Sequence, residues 1–311
     1  MQRYLLVPRI KIRSVNAHSA AWIVNTTPVM AINMFAHNLG RNIGTMPDGV
    51  AIIHHDQQMK GGWLKEPKSH WKKFYLQQRR GASFIDKNDY ASRSNSLSLQ
   101  PTASCDLTIT LVFRFSSAFD SEAVEEFLHT AKIAGGQVDS FYEKGVKVFN
   151  SQDALINDLP KSGYWIVERT DLLEGSSAPL DTLLDCLTVK EKKEDGKGTQ
   201  DKQSIESSSE EKVQDVGIEG TRKKEPEYIR KHPWLVPTVL GYAMVTDFAK
   251  RENVRTTSEG QECMHAFAEP LVGPVQYVST RGYQDPLPFW SYQWLNEKCF
   301  IVNQTKGENQ R

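Results

Sequence analysis

In the stretch LLVPRIKIR, Arg9, Lys11 and Arg13 alternate with Ile10 and Ile12. Successive side chains of an extended strand point to opposite faces, so the cations share one side while the isoleucines anchor the other. Such a row offers the phosphates of a polyanion a track. A second set of residues lies in 57–100, where nine Lys and Arg stand against three Asp and Glu and are interleaved with rings: Trp63, Lys65, Lys68, Trp71, Lys72, Lys73, Phe74, Tyr75, Arg79 and Arg80. Cations pair with phosphates and rings stack on bases, the combination that holds a nucleotide strand. A third set, His54-His55-Asp56, has the chemistry of a metal ligand or general base. Neighbours on a strand face opposite ways, however, so only one histidine can serve a given site, and sheet-end hydrogen bonding or RNA contact is the expected role.

Charge distribution supports a polyanion partner. The 311 residues carry no formal net charge, yet residues 1–100 hold 14 Lys and Arg against 5 Asp and Glu, leaving 24 against 33 in the remainder. A basic half joined to an acidic one fits a protein that holds nucleic acid on one surface and meets protein partners on another. The 39% hydrophobic content is enough to close a core. Cys105, Cys186, Cys263 and Cys299 are far apart with no C-x-x-C pair, so neither a zinc site nor a disulfide framework is expected, and a reducing cytoplasm is the natural compartment. No secretory signal is expected from an N-terminus carrying Arg3, Pro8, Arg9, Lys11 and Arg13. Ser14 to Gly40 lacks charge, but four asparagines, two histidines and Pro28 argue against a membrane helix. No membrane partner is expected.

The elements that must position these residues follow from periodicity. Thr27 as N-cap and Pro28 at the first turn open a helix with Val29, Ile32, Ala36, Leu39 and Ile43 on one face, ended by Gly44. A strand over 50–53 follows. DLTITLVFRF (106–115) reads as another strand, and Asp120 or Ser121 caps a helix with Val124, Phe127, Leu128 and Ala131 inward; Gly135-Gly136 stops it, and QVDSF starts a further strand. Two strand–helix–strand units predict an α+β, ferredoxin-like (RRM-like, βαββαβ) palm over 1–56 and 105–189. The segment 57–104 is an inserted, basic, thumb-like segment. Residues 190–225 hold nine basic and ten acidic residues and no aromatic, which predicts a disordered charged loop. Residues 226–311 are expected to form an irregular β-rich region packed on the palm, with Pro233, Pro237, Pro270 and Pro274 at sheet edges or in loops. No internal repeat appears.

No motif demands an enzyme or a cofactor: a phosphate-binding loop, G-x-S-x-G and H-E-x-x-H are all absent. One enzymatic alternative stands, a metal-independent endoribonuclease drawing its base from His18, His54, His70 or Tyr75.

Several stretches, in order, resemble the Csy2 family, the Cas-five-type subunits of type I-F CRISPR surveillance (Cascade-like) complexes. That family opens on LLxPxIKV followed by Asn-Ala-Asn-Ala-x-Ser; here LLVPRIKIR runs into Ser14-Val15-Asn16-Ala17-His18-Ser19, which keeps the second Asn-Ala and the serine and departs at Ser14 and Val15. TAKIAGGQVDSF is similar to the family's R-x-x-x-A-G-G-x-I, with Lys132 near the usual arginine and Gly135-Gly136 intact; LVPTVLGY, HAFAEPLVGPVQYVS and PLPFWSYQW follow in the family's order. The resemblance implies a non-catalytic, antiviral RNA-binding subunit with a ferredoxin-like palm and an inserted thumb. It would hold the 5′ handle of the CRISPR RNA at the foot of the complex, near target DNA, and dock to the large and backbone subunits. Where a large subunit is missing, it would also read the motif beside the target, through residues 57–95 or the charged loop. On this account Arg9, Lys11, Arg13, Asn16, Ala17, His18 and Ser19 hold the handle, Lys68, Trp71, Lys72, Lys73, Tyr75, Arg79 and Arg80 act as thumb contacts, and Gly135 and Gly136 allow a close backbone approach to RNA or to a packed neighbour.

Overall fold

A computed structural model describes residues 2–20, 22–65, 72–77, 103–191, 228–230, 232–250 and 263–304. Strand β1 (Arg3–Asn16) passes through a small hairpin, β2 (His18–Ala20) and β3 (Ile23–Val24), to helix α1 (Val29–Ile43), which Gly44 ends in the left-handed conformation at φ 73°. Pro28, not Thr27, occupies the N-cap, because the Thr27 hydroxyl is taken by the Tyr277 hydroxyl at 2.6 Å. The strand expected at 50–53 runs on as β4 (Gly49–Met59), paired throughout with β7 (Ser104–Phe115). Between them stands the hairpin of β5 (Gly61–Lys65) and β6 (Lys72–Leu76). Helix α2 (Ser121–Thr130) starts where expected, the Asp120 carboxylate accepting from the Glu122 N–H. Its end departs from expectation. The helix stops at Thr130, and Gly135 (φ 76°) instead turns the hairpin of β8 (Lys132–Ile133) and β9 (Gly136–Ser140).

Strand β10 (Lys147–Phe149), helix α3 (Gln152–Asp158), β11 (Tyr164–Glu168) and helix α4 (Pro179–Leu187) follow; β12 (Val189–Glu191) pairs with β13 (Tyr228–Arg230). The charged stretch between those two strands, the bulk of the expected 190–225 loop, lies outside the described residues. Four strands complete the fold: β14 (Leu235–Met244), β15 (Ala268–Ser279), β16 (Trp290–Asn296) and β17 (Cys299–Gln304). Pro237, Pro270 and Pro274 sit within β14 and β15, which have a neighbour on either side. Each lies beyond the reach of the outer partner, since β17 pairs with β14 at 241–243 and β11 with β15 at 275–279, so a missing N–H breaks no ladder.

The result is a mixed α/β fold on one large antiparallel sheet, with four helices among the described residues. The first six main elements stand in the sheet order β9-β1-β7-β4, all neighbours antiparallel, with α1 and α2 in the crossovers. Both helices pack on one face: Val29, Ile32, Phe35 and Leu39 of α1 meet Val124 and Leu128 of α2 in a core with Leu5, Val7, Ile10, Ile12 and Val15 of β1. A smaller core of Tyr4, Leu6, Ile53, Leu155, Trp165 and Phe289 covers part of the opposite face. The later strands extend this same sheet. The free edge of β4 is shared by β16 and β11, and through β17, β14 and β15 these strands close a ring with β4. Trp290, fully buried, donates its indole N–H to the Ile166 carbonyl and locks the ring.

Two bulges in β1 control what its faces carry. Leu5 and Val7 point at the helices, so unbroken alternation would send Arg9, Lys11 and Arg13 into that core. Instead Val7 pairs with Leu111 and Ile10 with Ile109, three residues advancing against two, and the same slip recurs between Ile12–Leu107 and Val15–Cys105. Each bulge inserts one residue and inverts the alternation. Each also contains a left-handed residue, Arg9 (φ 48°) and Ser14 (φ 56°). Their displaced N–H groups are caught by side chains of β7: Arg9 N donates to Thr110 Oγ1 at 3.0 Å and Ser14 N to Asp106 Oδ1 at 2.8 Å. Asp106 also accepts from Lys60 Nζ at 2.8 Å; burial opposes its ionisation, but Lys60, the Ser14 N–H and Arg13 together hold its pKa below the usual carboxylate value.

A third slip occurs in β4 between His54 and Asp56. It brings His55 Nε2 to 2.7 Å from the same Thr110 hydroxyl, which is wholly buried. His54 faces the other way, edge-on to Tyr277 at 5.2 Å. Burial drives its pKa down to about 4, against the weaker pull of Asp56 and a Thr26 backbone contact; His55 also falls to about 4, through burial and then the charge of Arg9.

Replacing Thr110 by Val leaves the Arg9 N–H without its buried acceptor, so denaturant unfolding is expected to show a loss of about 1–3 kcal/mol that Thr110→Ser largely restores. The histidines predict acid sensitivity. An unfolded imidazole takes its proton near 6.5 and the folded His54 only near 4, so the stabilisation is complete above pH 6.5 and declines as pH falls toward 4. His54 accounts for up to about 3 kcal/mol of that decline, and thermal melts of His54→Phe across this range should show a shallower slope than the parent.

Candidate nucleic-acid interface

The face of the sheet turned away from α1 and α2 is open where β1 carries its cations. Arg9, Lys11 and Arg13 are exposed while Ile10 and Ile12 are buried, as the alternation predicts, although the bulges are what make it point this way. The three differ in their surroundings. Arg13 Nε lies 3.0 Å from a carboxylate oxygen of Asp139, so part of its charge is already met. Arg9 Nη2 donates to Ser162 Oγ at 3.0 Å, which aims the guanidinium. Lys11 forms no ion pair with any described residue.

Arg9 and Lys11 line a cleft of about 530 Å³ with His55, Asp56, Thr108, Ser162, Gly163, Tyr164, Ser279 and Arg281. Arg281 was not visible as a site residue: nothing near it in the chain is basic or patterned, and only the β11–β15 pairing carries the loop after Ser279 to this place. Ser162, Ser279 and Thr108 went unnoticed for the same reason. Gly163 forms part of the wall at φ 137°, and a Cβ there would meet Ile53 Cγ2 at 2.6 Å and His55 Nδ1 at 2.8 Å.

The polar loop after β1 leads to a second cleft, of about 580 Å³, between α1, β14 and the β8–β9 turn. It brings Asn16, Ser19, Lys132 and Gly135 beside Met30, Met34 and Tyr242. Much of the loop's polar capacity is taken up internally. Asn16 Oδ1 accepts from the His18 N–H at 3.0 Å, Ser19 Oγ donates to Asn25 Oδ1 at 2.8 Å, and Asn25 Nδ2 donates to the Pro237 carbonyl. Ala17 is buried, its N–H bonded to the Ala103 carbonyl at 3.0 Å, which makes it part of the framework. His18 stands on β2, opposite Val24.

Gly136 has a definite steric duty: a Cβ would lie 2.7 Å from the Arg13 carbonyl and 2.8 Å from Val15 N. Its close approach is therefore to the second bulge of β1, a packed neighbour. Lys72, Lys73 and Tyr75 project on the β5–β6 hairpin apart from both clefts; the hairpin's Trp63 is 66% exposed and sets its ring edge-on to Phe74. Lys68, Trp71, Arg79 and Arg80 lie outside the described residues. The expected RNA contacts thus fall into three places, not one continuous row.

Among the described residues no three metal-ligating side chains converge, and no helix is long and apolar enough to cross a membrane. No curated protein matches the chain. The family model described as CRISPR-associated protein (Cas_Csy2) matches residues 5–298, which takes in both bulges of β1, both clefts and the later strands as far as β16; the chain belongs to this type I-F CRISPR-associated family.

Proposed function

We propose that this protein is a non-catalytic CRISPR RNA-binding subunit of a type I-F surveillance complex in antiviral defence, holding the 5′ handle of the guide at the foot of the assembly. The observation that carries this reading is the outward row of β1, where Lys11 and Arg9 meet solvent on the face opposite the helices. The sheet order β9-β1-β7-β4 with both crossover helices on one face supports a ferredoxin-like palm of the RAMP type. Phosphates of the handle run along the cations, and unstacked bases reach the polar loop and the second cleft. The β5–β6 hairpin serves as the thumb: Trp63 and Tyr75 supply exposed rings beside Lys65, Lys72 and Lys73.

The complex works in the cytoplasm, and target DNA passes near its foot. Docking to the large and backbone subunits uses the far end of the sheet, where Val245, Phe267, Trp294 and Leu295 are each more than half exposed. The endoribonuclease alternative asks for a solvent-facing base, and His54 is a poor one, being buried, weakly basic and set edge-on against Tyr277.

Incubating the purified protein with its repeat RNA in EDTA separates the two readings. Binding without cleavage is expected, whereas discrete products abolished by changing one histidine would establish the nuclease. Lys11→Gln should weaken guide binding and lower the slope of log K against log salt by about 0.7, one phosphate's worth on a single strand. An unchanged slope counts against the β1 track.

A further inference from the structure

Three irregularities of the backbone surround one cleft. Arg9 sits at positive φ in the first bulge of β1, His55 lies in the bulge of β4, and Gly163 takes a φ open to glycine alone in a space that admits no Cβ. The first two converge on the single hydroxyl of Thr110. Bulges and strained residues gather where side chains must be re-aimed at a ligand.

What they aim is cationic. Arg9 and Lys11 arrive from β1, and Arg281 from the loop behind β15, some 270 residues further along the chain, about 530 Å³ being left open between them and their neighbours. Each guanidinium is held at one corner. Arg9 Nη2 donates to Ser162 Oγ at 3.0 Å, and Arg281 Nε to the Lys161 carbonyl at 3.3 Å, while Arg281 N donates to Ser279 Oγ at 3.2 Å. An arginine has five N–H donors, so most of the fork on either side stays available to an oxyanion. Among the described residues Asp56 is the one carboxylate lining the cleft, and its Oδ1 already accepts from the Gln57 N–H. His55 stays neutral at physiological pH and adds no charge.

We propose that this cleft is a discrete phosphate pocket in which Arg281 closes over a phosphate group held from below by Arg9 and Lys11, with the Ser162 hydroxyl and the Lys161 carbonyl each fixing one guanidinium fork. The choice of ligand rests on the RNA-holding function proposed above; the pocket itself rests on the geometry. Two forks and an ammonium converging from different sides suit a tetrahedral oxyanion with several acceptor oxygens better than a planar carboxylate, which one fork satisfies. The group is either an internal phosphodiester, at a point where the RNA backbone turns into the cleft, or a terminal phosphomonoester.

The test uses the full chain and its Arg281→Gln and Lys11→Gln variants. Fluorescence anisotropy follows one short guide-derived oligoribonucleotide, carrying either a 5′-hydroxyl or a 5′-phosphate, and thermal melting follows inorganic pyrophosphate. The parent should bind RNA and be stabilised by pyrophosphate. Arg281→Gln, with an unaltered melting temperature in the absence of anions, should bind RNA about tenfold more weakly, the effect of one charge-assisted hydrogen bond, and should lose the pyrophosphate effect; Lys11→Gln should do likewise. Equal loss for both oligonucleotides assigns an internal phosphodiester, and loss confined to the phosphorylated one a terminal group. RNA affinity and pyrophosphate stabilisation both indifferent to Arg281 would overturn the pocket while leaving RNA binding intact. Pyrophosphate stabilisation that needs Arg281 in a protein that binds no RNA would retain the pocket and remove the proposed function. Stabilisation by polyglutamate equal to that by pyrophosphate would replace the phosphate with an acidic protein segment and end the proposal.

Discussion

The hydroxyl of Thr110 holds together the feature on which the rest of the molecule depends. It accepts the N–H that the first bulge pushes out of the β1–β7 ladder, and it reaches the imidazole that the bulge of β4 brings in from the other side. An unmet buried N–H costs about as much as several ordinary hydrogen bonds contribute, so the bulge persists only because this acceptor stands opposite it. Asp106 does the same for the second bulge, with Lys60 securing the carboxylate. Strand β7 is thus more than the partner that joins β1 to β4. It carries side chains that stabilise two departures from regular pairing in its neighbour.

Those departures explain how one strand serves two purposes. From Tyr4 to Val7, β1 is buried on both faces, Leu5 and Val7 against the helices and Tyr4 and Leu6 against the smaller core. From Arg9 onward it is buried on one face only. The inserted residue keeps Ile10 and Ile12 with the helices and places the cations on the face where the smaller core has ended. A regular strand would have faced a choice between burying three charges and exposing two isoleucines, either of which costs several kcal/mol. Gly136 follows from the same geometry, since only a residue without a Cβ lets β9 lie against the second bulge.

The C-terminal strands complete the structure from the other side. They continue the hydrogen bonding from β4 and return to it, so the sheet that presents β1 also supplies Tyr277 to anchor Thr27, the Pro237 carbonyl to anchor Asn25, and Arg281 to face Lys11. The polar loop after β1 is consequently held by β14 and β15 as well as by the bonds it makes within itself. Its asparagines and serine act first as framework, and the space beside them, lined by Met30, Met34 and Tyr242, is what a ligand would enter.

Local chemistry was legible in the sequence. Helix α1 and its glycine stop, the Asp120 cap, the β-branched run of β7 and the alternation of cations with isoleucines all rest on contacts within a few residues or on side-chain period, and each appears at the expected place. Where other local expectations failed, a distant group had intervened: Tyr277 took the hydroxyl meant to cap α1, and the Gly135-Gly136 pair turned a hairpin because β9 had to reach β1. The bulges, the closing of the later strands onto β4, and the meeting of Arg281 with Arg9 and Lys11 were decided by tertiary structure alone. Strand register depends on which partner supplies an acceptor, and no spacing within LLVPRIKIR reveals that Thr110 and Asp106 will stand opposite it.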